Sequence, residues 1–338
     1  GTTGDVILRF AGLEGHVRHL EPEPPGGINW MARGIYHSDM VNTVSKRYAQ
    51  EILTPEYGAG MDGLLRARNA EKRLCGIVNG VDYDTWNPAT DPCLAQHFDI
   101  ESLDARALDK AALQRELGLP VRADAPLLAF VSRLYEQKGV DILSAVIDRL
   151  FARDVQFILL ATGDRHYEDM YAALPKRFPT KAAVILKFDP ILAQKIYGGS
   201  DLFLMPSRFE PCGLGQLIAM RYGSVPLVRA TGGLADTVTE LDAAKNRGTG
   251  FTFSEYSGDA LWDALERALE AFRDKKAWRG LQERCLKADW SWGASAKSTT
   301  SCIAKRSSLK SDLWRAACVV CQGRPRMSAR LRCPTSPR

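Results

Sequence analysis

From Ala125 onward the sequence alternates short apolar runs with amphipathic ones, and this rhythm restricts the folds open to it. The apolar runs read "PLLAFVS", "VQFILLAT", "AAVILKF", "DLFLMPS", "SVPLVRA" and "GFTF". Helical segments separate them: "GVDILSAVIDRLFA", "HYEDMYAALPKRF", "ILAQKIYGGS", "GLGQLIAMRYG" and "GLADTVTEL". Nearly continuous apolar runs suit strands covered on both faces, and strands separated by helices pair in parallel. The expectation is an α/β domain with a doubly wound parallel sheet and right-handed crossovers. Two further helices, "DALWDALERALEAFRD" and "KAWRGLQERCLKAD", close it, so the complete unit covers residues 120–275 or so.

Residues 1–118 hold less. "INWMARGIYHSD" reads as a helix and "MVNTVS" as a buried strand. Ser45 is placed to N-cap a helix through "KRYAQEIL". "LCGIVNG" reads as another strand, and "DARALDKAALQRELGL" as a helix that Pro120 stops. These pieces make the C-terminal part of a second α/β unit rather than a whole one. After "DWSWGASAK" (289–297) the period is lost, and residues 298–338 are expected to be a disordered basic tail. Its Arg/Ser/Pro/Cys bias begins within a residue or two of Lys297 and reads as a shifted coding frame.

Composition excludes several classes. Apolar residues make up 45% and charged residues 25%, as in soluble globular proteins. No apolar run reaches the ~18 residues of a membrane span, and the chain opens at Gly1 without a basic-then-apolar leader. A cytoplasmic location and no membrane partner are expected. Residues 298–338 hold nine Lys/Arg and one Asp, a charge of +8, which leaves the first 297 residues at −3 within the chain's +5. The body therefore lacks the basic stripe of a nucleic-acid binder. Four of the eight cysteines lie in the tail (Cys302, Cys318, Cys321, Cys333), and Cys75, Cys93, Cys212 and Cys285 are scattered. That is no disulfide framework. The five histidines show no metal spacing, and the lone Cys318-x2-Cys321 pair lacks the second pair a zinc site needs.

Three strand-to-helix junctions carry candidate chemistry. Arg133 and Lys138 in "VSRLYEQKG" follow the first strand of the complete unit, where two cations and a helix N-terminus suit a diphosphate. Taken alone they also read as solvated loop cations. In "SRFEPCGLGQLIAMRYG", Gly213 and Gly215 let backbone approach a ligand, with Glu210 just ahead of them. A carboxylate there would repel phosphate and better grips neutral hydroxyls, although a helix-capping role is open too. Thr231, Gly232 and Gly233 in "ATGGLADTV" offer further amides on the same edge. Open α/β sheets bind ligands at this edge, and the three turns together point to a phosphosugar.

Six blocks together resemble the bacterial glycogen synthases and plant starch synthases: "INWMARGIYHSDMVNTVSKRYAQEILTPEYGAGMDGLL", "GIVNGVDYDTWNPATDP", "VSRLYEQKGVDIL", "DLFLMPSRFEPCGLGQLIAMRYGSVPLVRATGGLADTV", "GTGFTF" and "DWSWGASA". They cover residues 28–297 or so. The resemblance implies the GT-B fold of two Rossmann domains. Residues 1–118 would then be the C-terminal part of the acceptor-side domain plus a linker. Residues 119–297 would be the donor-binding domain and crossover helix. The implied activity is retaining transfer of glucose from ADP-glucose to the non-reducing end of an α-1,4-glucan, without metal or other cofactor. By this resemblance Arg133 and Lys138 stabilise the leaving ADP. Glu210 holds the donor glucose hydroxyls, with Cys212, Gly213, Leu214 and Gly215 around it. Phe188 packs on adenine, and Asn79 reaches the cleft from the N-terminal side. Thr231, Gly232 and Gly233 complete the donor edge. The location implied is the cytoplasm, or the plastid for a plant or algal protein.

Four departures stand out. Gly215 replaces the family's Thr, and Pro190 follows Phe188-Asp189 where the family has Glu. The Lys-x-Gly-Gly-Leu loop and the acceptor-side His and Asp are absent and would lie upstream of Gly1. The family's last helix continues past "DWSW" with a Tyr/Leu-rich segment that is not found here. Two other readings stay open: a UDP-sugar-dependent relative of the sucrose synthases, and a non-catalytic nucleotide-sugar-binding remnant. Ile218 stands where the UDP-sugar relatives usually carry a second Glu, and Gln216 fits the glucan synthases better.

Overall fold

A computed structural model describes residues 2–3 and 28–307. Its centre is a six-stranded sheet of β5 (Leu127–Leu134), β6 (Gln156–Gly163), β7 (Ala182–Ile185), β8 (Leu202–Met205), β9 (Val225–Arg229) and β10 (Phe251–Phe253). The spatial order is β10-β9-β8-β5-β6-β7 and every pairing is parallel. All six expected strands are therefore present. Counted from β5, the order is 3-2-1-4-5-6, that of dinucleotide-binding sheets. It reverses between β5 and β8, so a crevice opens where the loops after those two strands part.

Leu127, Leu128, Ala129 and Phe130 of β5 are essentially inaccessible, as the uninterrupted apolar run requires. Helices α5 (Val140–Phe151), α6 (Arg165–Ala172), α7 (Leu174–Arg177), α8 (Pro190–Gly199), α9 (Gly215–Arg221), α10 (Gly232–Thr237), α11 (Gly258–Arg273) and α12 (Lys275–Lys287) connect or cover the strands. Their starts follow side-chain capping: Asp164 accepts from the His166 amide, Asp189 from Leu192, Ser257 from Ala260, and Asp274 from Lys276 and Ala277. The expected helix over "HYEDMYAALPKRF" is split, because Pro175 begins a new short helix at Leu174.

Ahead of the sheet, α4 (Arg106–Glu116) is tethered to it by buried charge. Lys110 Nζ lies 2.7 Å from Asp201 Oδ2 and donates to Ala125 O, and Arg106 donates to the Tyr222 and Ser200 carbonyls. This helix falls within the 1–118 segment of the sequence reading but packs on the large domain.

The first segment has its own small core of Ile35, Val41, Ile52 and Leu65. It contains α1 (Trp30–His37), α2 (Lys46–Glu51), α3 (Asp62–Ala70) and the parallel pair β3 (Val41–Thr43) and β4 (Leu74–Gly76). Ser45 caps α2 as expected, accepting from Tyr48 N at 2.9 Å. A further antiparallel pair joins β1 (Thr2–Thr3) to β2 (Ile28–Asn29).

The chain leaves the first segment through residues 77–83 and returns through 288–292. Val81 N donates to Trp290 O at 2.7 Å, Trp290 N donates to Tyr83 Oη at 2.8 Å, and Ser295 Oγ donates to Val78 O at 2.8 Å. The returning helix, α13 (Trp292–Ser307), brings Cys302 Sγ to 2.8 Å from Cys75 Sγ. It corrects the expected start of a disordered tail at 298. Ser298, Thr299 and Thr300 turn their hydroxyls onto the carbonyls of Ala294, Ser295 and Ala296, and the stretch is helical although it lacks an apolar period. Residues 308–338 of that tail lie outside the described residues. Among the described residues no helix is long and apolar enough to cross a membrane.

Candidate donor-binding site at the sheet switch point

The loops after β5 and β8 are knitted together at the crevice. Gly139, with φ of 75°, ends the turn Glu136–Lys138, and a Cβ on it would overlap the Pro206 carbonyl. Only glycine allows that approach. Arg208 N donates to Gln137 O at 2.9 Å, which brings the two loops into register.

This placement brings Lys138 and Glu210 together. Lys138 Nζ lies 2.5 Å from Glu210 Oε2, and the side chains are 16% and 9% exposed. Ser207 Oγ adds a longer contact to the same oxygen at 3.4 Å. Arg133 stands at the end of β5 with its guanidinium over the Tyr135 ring, 5.6 Å from the centroid, and is exposed. Lys138 and Glu210 thus meet at the switch point, and Arg133 stands at the end of the adjoining β5. The cations can hold a diphosphate, and the carboxylate, once released from Lys138, can accept from hydroxyls.

After Glu210 the backbone turns through Cys212, Gly213 and Leu214 into α9. Gln216 braces this turn from inside, donating to Cys212 O, Gly213 O and Thr237 Oγ1, while its own Oε1 is buried without a donor. The Leu214 side chain is exposed and no side-chain cap covers the start of α9. Gly215 packs against Phe203 and Met205: a Cβ there would lie 3.1 Å and 3.3 Å from their side chains. That crowding accommodates glycine where the family has Thr. Burial pushes the Cys212 thiol up to about 11, with the Asn79 backbone amide acting in the opposite direction. The backbone amide of Asn79 therefore lies beside the Cys212 thiol.

The turn at Thr231–Gly233 differs from expectation. Its amides are engaged within the protein rather than free for a ligand. Thr231 N donates to Arg229 O, Gly233 N to Glu210 O and Pro211 O, and Gly232 N to the carboxylate of Glu51. The reason is close packing: a Cβ on Gly232 would overlap Glu210 O, and one on Gly233 would overlap Cys212 O. The turn backs the Glu210 loop instead of presenting donors to solvent. Phe188 is 86% exposed beside the Asp189 cap, with Pro190 as the first helical residue of α8. Pro190 thus has a helix-starting role where the family has Glu. Among the described residues no group of three His, Cys, Asp or Glu is arranged to hold a metal.

The profile of the starch synthase catalytic domain matches residues 2–67, and that of the group 1 glycosyl transferases matches residues 118–279. A glycogen synthase from Moorella thermoacetica is 52% identical over 272 residues, covering 80% of this chain and 55% of the relative. One from Thermosipho africanus is 47% identical over 298 residues, covering 88% of this chain and 61% of the relative.

The chain belongs to the glycogen and starch synthase family.

The catalytic domain of starch synthase IV from Arabidopsis thaliana, solved bound to ADP and acarbose, superposes with a TM-score of 0.83 at 36% identity. It covers 91% of this chain and 64% of that one. Sucrose-phosphate synthase from Thermosynechococcus elongatus, at 19% identity and a TM-score of 0.55, shares the fold. The GT-B assignment made from the sequence agrees with these neighbours. The chain spans 55% and 61% of the length of the two glycogen synthase relatives named above.

Glu51 and Asp236, described below, were not singled out from the sequence. A Glu at the end of a short helix and an Asp within another look like solvated charges. The signal that could have found them is their place in the two family blocks that must face each other across the cleft.

Proposed function

We propose that this chain provides the donor-binding half of an ADP-glucose-dependent α-1,4-glucan synthase of the retaining type. The observation that carries the reading is the direct contact of Lys138 and Glu210 at the switch-point crevice, with Arg133 at the end of the adjoining β5. In the empty site the ammonium and carboxylate neutralise each other. An arriving diphosphate draws Lys138 toward itself and beside Arg133, which frees Glu210 to accept from the glucose hydroxyls. As the bond to the anomeric carbon breaks, negative charge grows on the leaving ADP, and fixed cations at that point lower the barrier. Arg133 and Lys138 supply that charge compensation, and the proposal calls for no metal. Phe188, already exposed, offers an aromatic face to adenine. The acceptor is a glucan such as glycogen or starch, and the setting is the cytoplasm or a plastid.

Transfer needs both walls of a cleft to align donor and acceptor. Donor binding is assigned to residues 119–297, and transfer to a glucan is a separate step. The test is calorimetry with ADP, ADP-glucose and UDP, alongside incorporation of labelled glucose into glycogen. Binding of the adenine nucleotides in preference to UDP is expected. Preference for UDP would favour the sucrose-synthase-like alternative, and absence of binding by either adenine nucleotide would overturn the donor assignment.

A further inference from the structure

The first segment and the donor domain exchange carboxylates. Glu51, the last residue of α2, accepts from Gly232 N at 3.0 Å and from Thr231 Oγ1 at 3.2 Å, at the start of α10. Asp236, near the end of α10, accepts from Arg47 N at 3.0 Å, at the start of α2. Each helix therefore closes the other's N-terminus, and the two must run antiparallel. The Glu51 side chain is 11% exposed and is held from its own side by Arg47 Nε at 3.2 Å. Hydrogen bonds from backbone amides to carboxylates are charge-assisted and orient both partners.

The contact leads directly to the donor loop. Gly232 and Gly233 lie against the carbonyls of Glu210 and Cys212, and Gly233 N donates to Glu210 O at 3.0 Å. A second contact runs alongside, from the Tyr57 ring to that of Phe209, 6.1 Å between centroids. Residues 209–212 are thus supported from the first segment at two points, one of them passing through the Thr231–Gly233 turn.

We propose that Glu51 is a positioning residue: with Asp236 it forms a reciprocal clasp that holds the Thr231–Gly233 turn, and through it the Glu210 loop, in the geometry that receives the donor sugar. Its link to the donor rests on the function proposed above, whereas the clasp stands on geometry alone. Glu51 touches neither the proposed phosphate cations nor Glu210's carboxylate. Its loss acts on the sugar-holding side more than on the diphosphate side.

Hydrogen exchange by mass spectrometry on the full chain reads the clasp, and calorimetry reads its consequence. Glu51→Ala should speed exchange in both the 229–234 and 46–51 segments, by about tenfold, since charge-assisted bonds to two donors are lost. Asp236→Ala should reproduce this from the other side. Glu51→Gln keeps an acceptor oxygen and should restore most of the protection, a rescue that a role in bulk packing would not show. ADP-glucose affinity should fall about tenfold in Glu51→Ala while ADP affinity falls less, and Glu51→Gln should recover it. Unchanged exchange in both segments of Glu51→Ala and Asp236→Ala would overturn the clasp. Faster exchange with the ADP-glucose to ADP ratio unmoved would overturn the positioning role. Should the parent chain bind neither nucleotide, the donor assignment and the positioning role fall together, while the exchange arm still decides the clasp.

Discussion

Lys138 Nζ and Glu210 Oε2 are 2.5 Å apart in a crevice that excludes most solvent from both. The cation proposed to hold phosphate and the carboxylate proposed to hold sugar are thus stored as an ion pair. Removing one partner of such a pair leaves the other buried and uncompensated, which costs roughly 3 kcal/mol. Lys138→Ala should show that loss in denaturant unfolding and should also lose most ADP affinity. The double variant Lys138→Ala/Glu210→Ala should recover part of the stability and none of the binding. A strictly additive double-mutant cycle would mean the pair is not coupled.

Glu210→Gln keeps the shape of the side chain and removes its charge. ADP affinity should stay level or rise, because a negative charge beside the diphosphate is gone. The advantage of ADP-glucose over ADP should disappear. Calorimetry on the two ligands separates these effects, and a collapse of ADP binding would contradict a role at the sugar.

Phe188→Ala should leave unfolding within about 0.5 kcal/mol of the parent, since the ring contributes little to the core when 86% exposed. Stacking an aromatic on a planar base is worth about 0.5–1.5 kcal/mol, so ADP should bind several-fold more weakly. Equal affinity would remove Phe188 from the site.

Gly233→Ala should destabilise the chain by about 3 kcal/mol, at the severe end of overpacking, because the added methyl overlaps the Cys212 carbonyl, which is main chain. Gly215→Ala should be far milder. Its Cβ would meet the Phe203 and Met205 side chains at 3.1 and 3.3 Å, and the helix gains about 1 kcal/mol over glycine. Thermal melts of the two variants would rank them, and the reverse order would refute the packing argument.

The thiol of Cys212, held up at about 11 by burial, ties stability to alkaline pH. Above the ordinary cysteine range the unfolded chain releases this proton and the folded chain keeps it. The contribution is fully present below about pH 8.5 and is lost as pH rises toward 11, about 3 kcal/mol for a two-unit shift. Cys212→Ser should therefore flatten the fall in stability between pH 9 and 11 relative to the parent. Parallel curves for the two proteins would rule out this linkage.

What could be read from the sequence followed periodicity. The six apolar runs from "PLLAFVS" to "GFTF" became the six strands of one parallel sheet, because continuous apolarity and interleaved helices leave few other arrangements. Lys138 and Glu210 were assigned to one edge because each follows a strand at its carboxyl end. Their mutual contact, across 72 residues of chain, was not foreseen, since it depends on β5 and β8 being neighbours. The amides of Thr231–Gly233 were misjudged for a related reason. Glycines signal close backbone approach, but not whether the approaching group is a ligand or the protein's own carbonyl. The helix through Ser307 escaped notice because residues 298–307 carry no regular apolar stripe.

The two passages of chain between the segments lie side by side, stitched where Val81 meets Trp290 and Tyr83 meets Ala288 and Trp290. The bonds across that seam tie residues 77–83 to residues 288–290, so a change in either passage is passed to the other. Together with the contacts of Glu51 and Asp236 between α2 and α10, the seam gives the first segment a second, separate line of attachment to the donor domain.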